Sequence, residues 1–277
     1  MGLRIATNVQ SIGAQRSLSK IKHDQDGSLE KLSSGLRINR ASDDAAGLAI
    51  SEKMKATIRG TQQASRNAQD GISMIQVAEG GLEEVSSILI RLRELSVQAA
   101  NDTLGDNERR FTNLEYQQLS SEIDRIAGST TFNGRSLLKG EGDKLEFQVG
   151  TENHETNDRI AYDSGAANVT SDALGLKGTA VDEKGKAQTN LGAIDLALDA
   201  VNGNRANLGA LQNRLQSTIS NLDVKTENLS AANSRIRDAD VANESAQFAR
   251  ANILSAASTS VLAQANQVGQ GALKLIG

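Results

Sequence analysis

Apolar residues recur every seven positions along the second half of the chain. The stripe runs through six heptads without a break, at Ile194, Val201, Leu208, Leu215, Leu222, Leu229 and Ile236. A repeat of this length predicts one long helix that packs against another helix. Two interleaved upstream series supply a partner, at Ile75, Leu82 and Leu89 and at Ala78, Val85, Leu92 and Ala99. They predict a second helix from about Thr61 to Asn101, and they leave open an ordinary helical bundle or an extended coiled-coil rod.

Both ends of the chain carry amphipathic patterns of the same kind. Near the start, two groups of apolar residues are spaced by three or four positions, at Ile5, Val9 and Ile12 and at Leu29, Leu32 and Leu36. Near the end, apolar residues lie seven apart, at Leu254, Val261, Val268 and Leu275. Neither terminal stripe has an obvious partner in its own half of the chain. We therefore expect the first helix to pair with the last.

The region between the two long helices has a different pattern. Asp106 is suited to cap a third helix that reaches about Ala127, and Asn133-Gly134 indicates a tight turn. Apolar and polar residues then alternate, which predicts a β-hairpin, at Leu145, Phe147, Val149, Ile160 and Tyr162. Residues 164–188 are rich in Gly, Ala, Asp and Lys and are expected to form a loop. The predicted fold is mainly α, with long antiparallel coiled-coil-like helices, paired terminal helices and a small β-hairpin region.

The composition favours long helices over a globular enzyme core. The 277 residues include no proline, so no ring interrupts a helix, and aromatic residues make up only 2%. The absence of cysteine excludes disulfides and cysteine-bound metals. A net charge of −4 argues against nucleic acid as the main partner, and no apolar run of about 18 residues is present for membrane insertion. The N-terminus lacks the apolar segment and cleavage site of a secretory signal.

The sequence contains no constellation of residues typical of catalysis. His23 lies among charged residues and is expected to be a solvated surface residue. His154-Glu155 begins like a metalloprotease helix motif, but the residue four positions after His154 is Asp158 instead of histidine. Ser42-Asp43-Asp44 is better explained by a helix start with Ser42 as the N-cap. We expect no enzyme activity, no cofactor, and no catalytic or metal site.

Several segments resemble the signatures of bacterial flagellins. The similar segments are residues 31–39 (KLSSGLRIN), 41–50 (ASDDAAGLAI), 93–101 (RELSVQAAN), 132–134 (FNG), 234–240 (SRIRDAD) and 259–267 (TSVLAQANQ). They occur in the family's order, and the similarity covers about residues 1–140 and 191–277. The chain is therefore identified as a member of the flagellin family, in a minimal form that lacks the outer insertion domains.

The resemblance implies a two-domain subunit of the flagellar filament. In flagellins, paired terminal helices form an inner core domain, here residues 1–42 with 236–277. Long helices form an outer tube domain, here 43–235, with the β-hairpin at about 133–190. Family members leave the cell through the flagellar type III export channel and polymerise beneath a cap. We therefore expect a secreted protein of the extracellular filament, which serves swimming motility.

The resemblance also implies partners and leaves alternatives. The implied partners are further copies of the chain, the flagellar cap, hook-junction proteins and an export chaperone. The nearer alternative is a hook–filament junction protein, which has similar terminal helices. The farther alternative is an intracellular coiled-coil scaffold, because the heptads alone would allow one.

Two sets of site residues are expected. The apolar stripes of the terminal helices form the expected polymerisation core: Ile5, Val9, Ile12, Leu29, Leu32, Leu36, Leu254, Val261, Val268 and Leu275. Residues 91–98 resemble the segment with which many flagellins bind the vertebrate Toll-like receptor for flagellin. The matching positions are Arg91, Leu95, Gln98 and, on the next helix, Glu115. Arg91 and Leu95 are expected to face a neighbouring subunit in the filament, and Ile90 departs from the glutamine that the family commonly has.

Overall fold

Five α-helices and four short strands make up the described part of the chain. The structure is a computed structural model that describes residues 7–141 and 144–274, the side chains of 268–274 excepted. The helices are α1 (Val9–Ser34), α2 (Ala45–Ala99), α3 (Asp106–Ser129), α4 (Lys184–Arg237) and α5 (Val241–Lys274). The strands are β1 (Thr131–Phe132), β2 (Arg135–Ser136), β3 (Leu145–Gln148) and β4 (Arg159–Tyr162). The prediction of a mainly α fold with long helices is confirmed.

The chain divides into two compact units. The terminal unit comprises Met1–Ala56 and Asn228–Gly277, and the central unit comprises Thr57–Glu227. The first and last helices therefore share a unit, whereas the strands, α3 and most of α2 and α4 belong to the other. The assignment of an inner core domain and an outer tube domain to particular residues stays a prediction.

A continuous hydrophobic core fills the central unit. Every residue of the two predicted α2 series is fully buried, and Ile194, Val201 and Leu215 of the α4 stripe are buried against them. Helix α3 adds Tyr116 and Ile123 to the same cluster. The heptad stripes of α2 and α4 thus cover each other within one chain, as their period predicts.

Three helices begin at positions other than those predicted. Helix α2 begins at Ala45, well before Thr61, because this segment lacks proline and contains many strong helix formers. Helix α3 begins at Asp106 itself, and Gly105 is its N-cap. Helix α4 begins at Lys184, inside the predicted loop. The heptad period shows where a helix has a buried face, and the first turns of these helices lie outside that stretch.

Two small antiparallel hairpins follow α3. Strands β1 and β2 are joined by Asn133-Gly134, whose φ angles of 49° and 78° match a two-residue type I′ turn. Strands β3 and β4 pair from Leu145 opposite Tyr162 to Gln148 opposite Arg159. The predicted tight turn and the predicted β-hairpin are both confirmed.

An irregular segment, residues 163–183, returns the chain from β4 to α4 and is called the strap here. Polar side chains of α3 hold it in place. Asp124 accepts hydrogen bonds from the backbone N–H and the hydroxyl of Ser171, both at 2.7 Å. Asn113 accepts a hydrogen bond from the Val181 N–H at 2.9 Å. These bonds satisfy backbone groups that have no partner in a helix or strand.

Candidate assembly site in the terminal unit

Two connectors of the terminal unit are bound to each other through their backbones. These connectors, together called the clasp, are residues 35–44 and 236–240. The Arg37 N–H donates to the Arg237 carbonyl at 2.7 Å, and the Ala239 N–H donates to the Gly35 carbonyl at 2.9 Å. Gly35 has a φ of 69°, the left-handed conformation that lets the chain leave α1 sharply. Two of the sequence signatures, far apart along the chain, therefore meet in this clasp.

Two arginine side chains reinforce the clasp at the end of α4. The Arg37 guanidinium donates twice to the Ile236 carbonyl, from Nε at 3.2 Å and from Nη2 at 2.7 Å. The Arg237 guanidinium pairs with Glu52 and donates to the Ser51 hydroxyl at 3.3 Å. The last carbonyls of a helix lack partners within it and carry partial negative charge, so these cations stabilise the helix end.

The start of α2 is capped by Asp44 and not by Ser42. The Asp44 Oδ1 accepts a hydrogen bond from the backbone N–H three residues later, at 2.8 Å. The prediction of Ser42 as the N-cap is wrong, because residues 41–43 form a separate turn before the helix. Asp43 closes that turn by accepting from the N–H groups of Arg40 and Asn39, at 2.9 and 3.0 Å. These two hydrogen bonds hold the pKa of Asp43 below its ordinary value of 3.8.

Helices α1 and α5 pair in antiparallel orientation. Side chains of α1 donate to α5 at three levels, from Asn8 to the Ala265 carbonyl (2.9 Å), from Ser11 to Asn266 (2.8 Å) and from Gln25 to Asn252 (2.7 Å). The predicted pairing of the first helix with the last is confirmed. The amide and hydroxyl contacts show that much of this pairing is polar.

The seam between α1 and α5 contains mainly small and polar residues. The inward stripe of α5 has a period of seven and consists of Glu244, Ala251, Ser258 and Ala265, which are buried except for the half-buried Ser258. On α1, Ser28 is buried, and Leu18, Ile21 and Leu32 are half-buried. The predicted stripes therefore do not supply most of this seam. A period of seven in small residues was the signal that could have identified it.

The predicted polymerisation stripes lie largely on the outside of this hairpin. The exposed fractions are 68% for Val9, 49% for Ile12, 52% for Leu29, 46% for Leu254 and 56% for Val261, while Leu32 and Leu36 are half-buried. Ile5 and Leu275 lie outside the described residues, and Val268 lies in α5 without a described side chain. Val241 and Ile253, which were not predicted, are also exposed. The hairpin therefore leaves several large apolar side chains exposed, and contiguous exposed apolar patches are typical of interaction sites.

A groove of about 700 Å³ opens between α1 and α5 beside one of these stripes. Ala14 and Val261 line it together with the polar side chains of Gln10, Ser17 and Gln264. The hairpin therefore offers an exposed apolar stripe and a mixed groove to a neighbouring helix. Contacts of this kind are a recurring mode of helix recognition.

The residues predicted for receptor recognition lie on α2 and α3 of the central unit. Arg91 is half exposed and pairs with Glu94 at 2.9 Å and with Glu115 on α3 at 2.8 Å. Its hydrogen bonds to Glu94 and Glu115 raise the pKa of Arg91. Gln98 and Ile90 are exposed as well. Arg91, Gln98 and Glu115 are therefore accessible in the single chain.

Leu95 differs from the other residues of that set. Only 1% of it is exposed, and it belongs to the hydrophobic core. The expectation that Leu95 faces a neighbouring subunit is wrong. Leu92, Leu95 and Ala99 are spaced by three and four residues, so they share the buried face of α2.

The described residues meet neither the requirements of a metal site nor those of a membrane span. In residues 7–141 and 144–274, no three His, Cys, Asp or Glu side chains are grouped so as to bind a metal ion. His154 lies 3.4 Å from Glu152 on an exposed loop, and its backbone N–H donates to Asp158 at 3.0 Å. None of the helices in those ranges is sufficiently long and apolar to cross a membrane.

Comparison with known proteins gives consistent matches over both ends of the chain. Residues 5–143 match the bacterial flagellin N-terminal helical region, and residues 191–276 match the bacterial flagellin C-terminal helical region. A flagellin of Halalkalibacterium halodurans is 49% identical over 269 residues, which cover 97% of this chain and 98% of that protein. These matches have the same order and nearly the same extent as the sequence signatures.

Solved structures show the same fold. The crystal structure of Bacillus cereus flagellin has a TM-score of 0.51 at 31% identity and covers 61% of this chain and 94% of its own. The structure of a flagellar hook-associated protein from Vibrio parahaemolyticus has a TM-score of 0.58 at 16% identity, covering 71% of this chain and 100% of its own. At that identity the second likeness shows a shared fold alone.

Proposed function

The chain belongs to the bacterial flagellin family, and we propose that its copies polymerise through the exposed apolar stripes of the terminal unit. As a flagellin it is a structural, non-enzymatic subunit of the flagellar filament. One observation carries the proposal: the α1–α5 hairpin buries small residues at its seam and leaves many of its large apolar residues exposed. Nothing in the comparisons favours the alternative of a hook–filament junction protein.

Burial of the stripes supplies the driving force for assembly. Removing one Leu, Ile or Val side chain from water stabilises by roughly 1.5–3 kcal/mol. Ordering the backbone of a flexible terminus costs roughly 1–2 kcal/mol per residue, so the terminal helices gain stability where neighbouring subunits cover them. We propose that the contact between copies is head-to-tail, as an indefinite polymer requires. A head-to-tail contact that does not close generates an open helical polymer.

Family membership supports a proposal for the cellular setting of this polymer. We propose that the subunit leaves the cell by flagellar type III export with the help of an export chaperone, and that it assembles outside the cell beneath the cap and beyond the hook-junction proteins. The sequence signatures of a flagellin support this route. Motility then depends on the length and regularity of the filament.

Seeded polymerisation tests the proposed function. Purified chain added to filament fragments is expected to elongate them into filaments of indefinite length, as seen by electron microscopy. Val261→Asp is expected to abolish elongation, because an unpaired carboxylate would be buried in the interface. Val224→Asp is the matched control, since Val224 is 57% exposed and lies in the central unit. Val268→Asp is expected to act like Val261→Asp.

The outcomes of this assay separate the alternatives. Normal elongation by Val261→Asp would show that the exposed stripe does not carry assembly. Short assemblies of fixed size from the unaltered chain would favour a hook–filament junction protein. Bundles that form independently of the filament seeds would favour a coiled-coil scaffold.

The exposed Arg91–Glu115 pair supports a second, host-directed role. We propose that the soluble chain activates the vertebrate Toll-like receptor for flagellin through Arg91, Gln98 and Glu115, and that the intact filament does so weakly. In a receptor reporter assay, Arg91→Ala and Glu115→Ala are expected to reduce activation, because arginine is a frequent hot spot with effects of about 2 kcal/mol or more. Arg125→Ala is the control, since Arg125 is an exposed α3 arginine paired with Glu122.

A substitution at Ile90 tests the reason for any failure of the soluble chain to activate the receptor. It is 51% exposed beside Arg91 and departs from the family's glutamine. If the soluble chain does not activate the receptor, Ile90→Gln is expected to restore activation. Failure of that substitution as well would show that the resemblance at this segment carries no receptor function.

A further inference from the structure

Among the described residues of the terminal hairpin, one ion pair crosses the seam between α1 and α5. Lys31 Nζ of α1 lies 3.5 Å from Glu244 Oε1 of α5. The Glu244 side chain is only 8% exposed, and its second oxygen, Oε2, is buried without a hydrogen-bond partner. A buried carboxylate is costly unless a cation lies beside it, so the position of Lys31 matters more here than at the surface.

The rest of the seam specifies the pairing of α1 and α5 only in part. The inward face of α5 carries Ala251, Ser258 and Ala265 at intervals of seven, and the half-buried Phe248 and Leu262 lie between members of this series. A shift of one heptad would replace each small residue by another of similar volume, so the packing would change mainly at Phe248 and Leu262. The buried carboxylate of Glu244 adds an electrostatic preference for one register, because it is costly wherever it lacks a cation.

We propose that Lys31 and Glu244 fix the register in which α1 and α5 pair, and hence the arrangement of the exposed stripes that the proposed function uses. Both possible slips of one heptad are unfavourable. In one direction Glu244 would face Asp24 and Lys31 would face Arg237, so two like-charged pairs would form. In the other direction Lys31 would face Ala251 and Glu244 would face Ile38, beyond the end of α1, so the buried carboxylate would lose its cation.

The ion pair continues the clasp into the hairpin. The clasp joins Gly35 to Ala239 and Arg37 to Arg237 through the backbone, and Lys31 and Glu244 lie four and five residues further into their helices. Beyond the clasp, the remaining described cross-helix bonds are amide and hydroxyl contacts, such as Gln25 to Asn252. Amide and hydroxyl groups are abundant along both helices and can exchange partners after a slip, whereas Glu244 is the only charged residue of the inward α5 stripe.

Engineered cysteine pairs can measure the register directly, because the chain has no cysteine of its own. Gln25→Cys combined with Asn252→Cys reports the register of the structure, in which the two side chains lie 2.7 Å apart. Gln25→Cys combined with Thr259→Cys or with Ser245→Cys reports a slip of one heptad in either direction. Filaments are assembled reduced and then oxidised, and disulfides within one chain are quantified on non-reducing gels.

Three charge variants are compared in this assay. Glu244→Gln keeps the side-chain shape and is expected to lower the ratio of in-register to slipped disulfides by about tenfold. The exchange Lys31→Glu with Glu244→Lys is expected to restore the ratio. Glu30→Gln is the matched control and should leave the ratio unchanged, because Glu30 pairs with Arg40 outside the seam, at 3.0 Å.

Each result bears on the proposal. An unchanged disulfide ratio in Glu244→Gln would overturn the register role and leave the proposed function standing, provided that filaments still form. If Glu244→Gln does not assemble, restored assembly and in-register disulfides in the charge exchange support the proposal, and an exchange that restores neither overturns it. An unaltered chain that never polymerises overturns the proposed function, and this inference with it.

Discussion

The central and terminal units carry the same pattern of apolar residues but differ in how far those residues are buried. Both carry large apolar residues at intervals of seven, yet Leu82 and Leu215 of the central unit are 0% exposed, whereas Leu254 and Val261 of the terminal unit are 46% and 56% exposed. A heptad stripe indicates that a helix face is to be covered. The comparison shows that the stripe does not indicate which chain covers it.

The difference lies in the residues that each helix pair places at its seam. In the central unit the large apolar stripes of α2 and α4 face each other, and α3 closes the core with Tyr116 and Ile123. In the terminal unit the fully buried seam positions include Ser28, Ala251 and Ala265, and the large apolar residues are half-buried or exposed. The central unit therefore has a hydrophobic core of its own, and under the proposed function the terminal unit is covered by neighbouring subunits.

The largest expected contrast is in hydrogen exchange of the soluble chain. Residues 75–92 and 208–229 of the central unit are expected to exchange on the order of ten-thousandfold more slowly than residues 1–42 and 237–277, because the latter have no core of their own. In the filament, both sets should be protected. Mass spectrometry of a verified monomer and of filaments measures both states. Strong protection of the termini in the monomer would remove the distinction between the two units.

Truncation of a leucine to alanine is expected to give a smaller contrast between the units, in the free energy of unfolding. Leu82→Ala should lower the free energy of unfolding of the soluble chain by about 2–5 kcal/mol, since Leu82 is fully buried. Leu254→Ala should change it by no more than about 0.5 kcal/mol, because Leu254 is already half exposed. Urea unfolding followed by circular dichroism measures both values. The comparison would fail if Leu254→Ala destabilised the monomer as strongly as Leu82→Ala.

Much of this architecture could be predicted from the sequence. The buried stripes of α2 and α4, the type I′ turn at Asn133-Gly134 and the pairing of the terminal helices all follow from residue spacing and turn chemistry. These features depend on local periodicity or on a few residues with special backbone preferences. Such signals are contained within short stretches of sequence.

The remaining features depend on contacts between distant segments. The clasp joins Arg37 to Arg237, and Asp124 holds the strap through Ser171. No periodic pattern in the sequence predicts either contact. Leu95 was expected to face a neighbouring subunit, although its spacing of three from Leu92 places it on the buried face of α2. The faces of α1 and α5 could not be assigned either, since large apolar residues usually face the nearest partner and here many of them face away from it.

A buried tyrosine gives the central unit its own pH dependence. Tyr162 donates to the Leu137 carbonyl at 2.8 Å, and burial, with the nearby charge of Asp163, raises its pKa from 10.0 to about 12. Because the folded pKa lies above the unfolded value, this contribution to stability is complete below pH 10 and is lost as the pH rises toward 12. Tyr162→Phe should destabilise by about 0.5–1.5 kcal/mol at neutral pH and flatten the alkaline loss.

Thermal unfolding of the soluble chain between neutral pH and pH 11 measures this effect. Leu254→Ala serves as a control from the terminal unit and should show the same alkaline loss as the unaltered chain. An alkaline loss of full size in Tyr162→Phe would assign it to other groups.

The smallest expected effect is the loss of stability of the terminal unit at low pH. Hydrogen bonds from the Arg40 and Asn39 N–H groups hold the pKa of Asp43 below 3.8. A folded pKa below the unfolded value means that the contribution is present above the unfolded pKa and is lost as the pH falls through the folded pKa. The turn before α2, and with it the clasp, should therefore loosen only in strong acid.

Asp43→Asn still offers an oxygen to both N–H groups but does not titrate, so it should remove this part of the acid dependence. The in-register disulfide yield of Gln25→Cys with Asn252→Cys, oxidised with iodine at pH 6 and at pH 3, measures it. Asp24→Asn, at an exposed position of α1, is the control and should keep the acid dependence of the unaltered chain. Equal acid responses in Asp43→Asn and Asp24→Asn would show that the turn at Asp43 has no part in holding the terminal hairpin, and the contrast between the units would then rest on apolar burial alone.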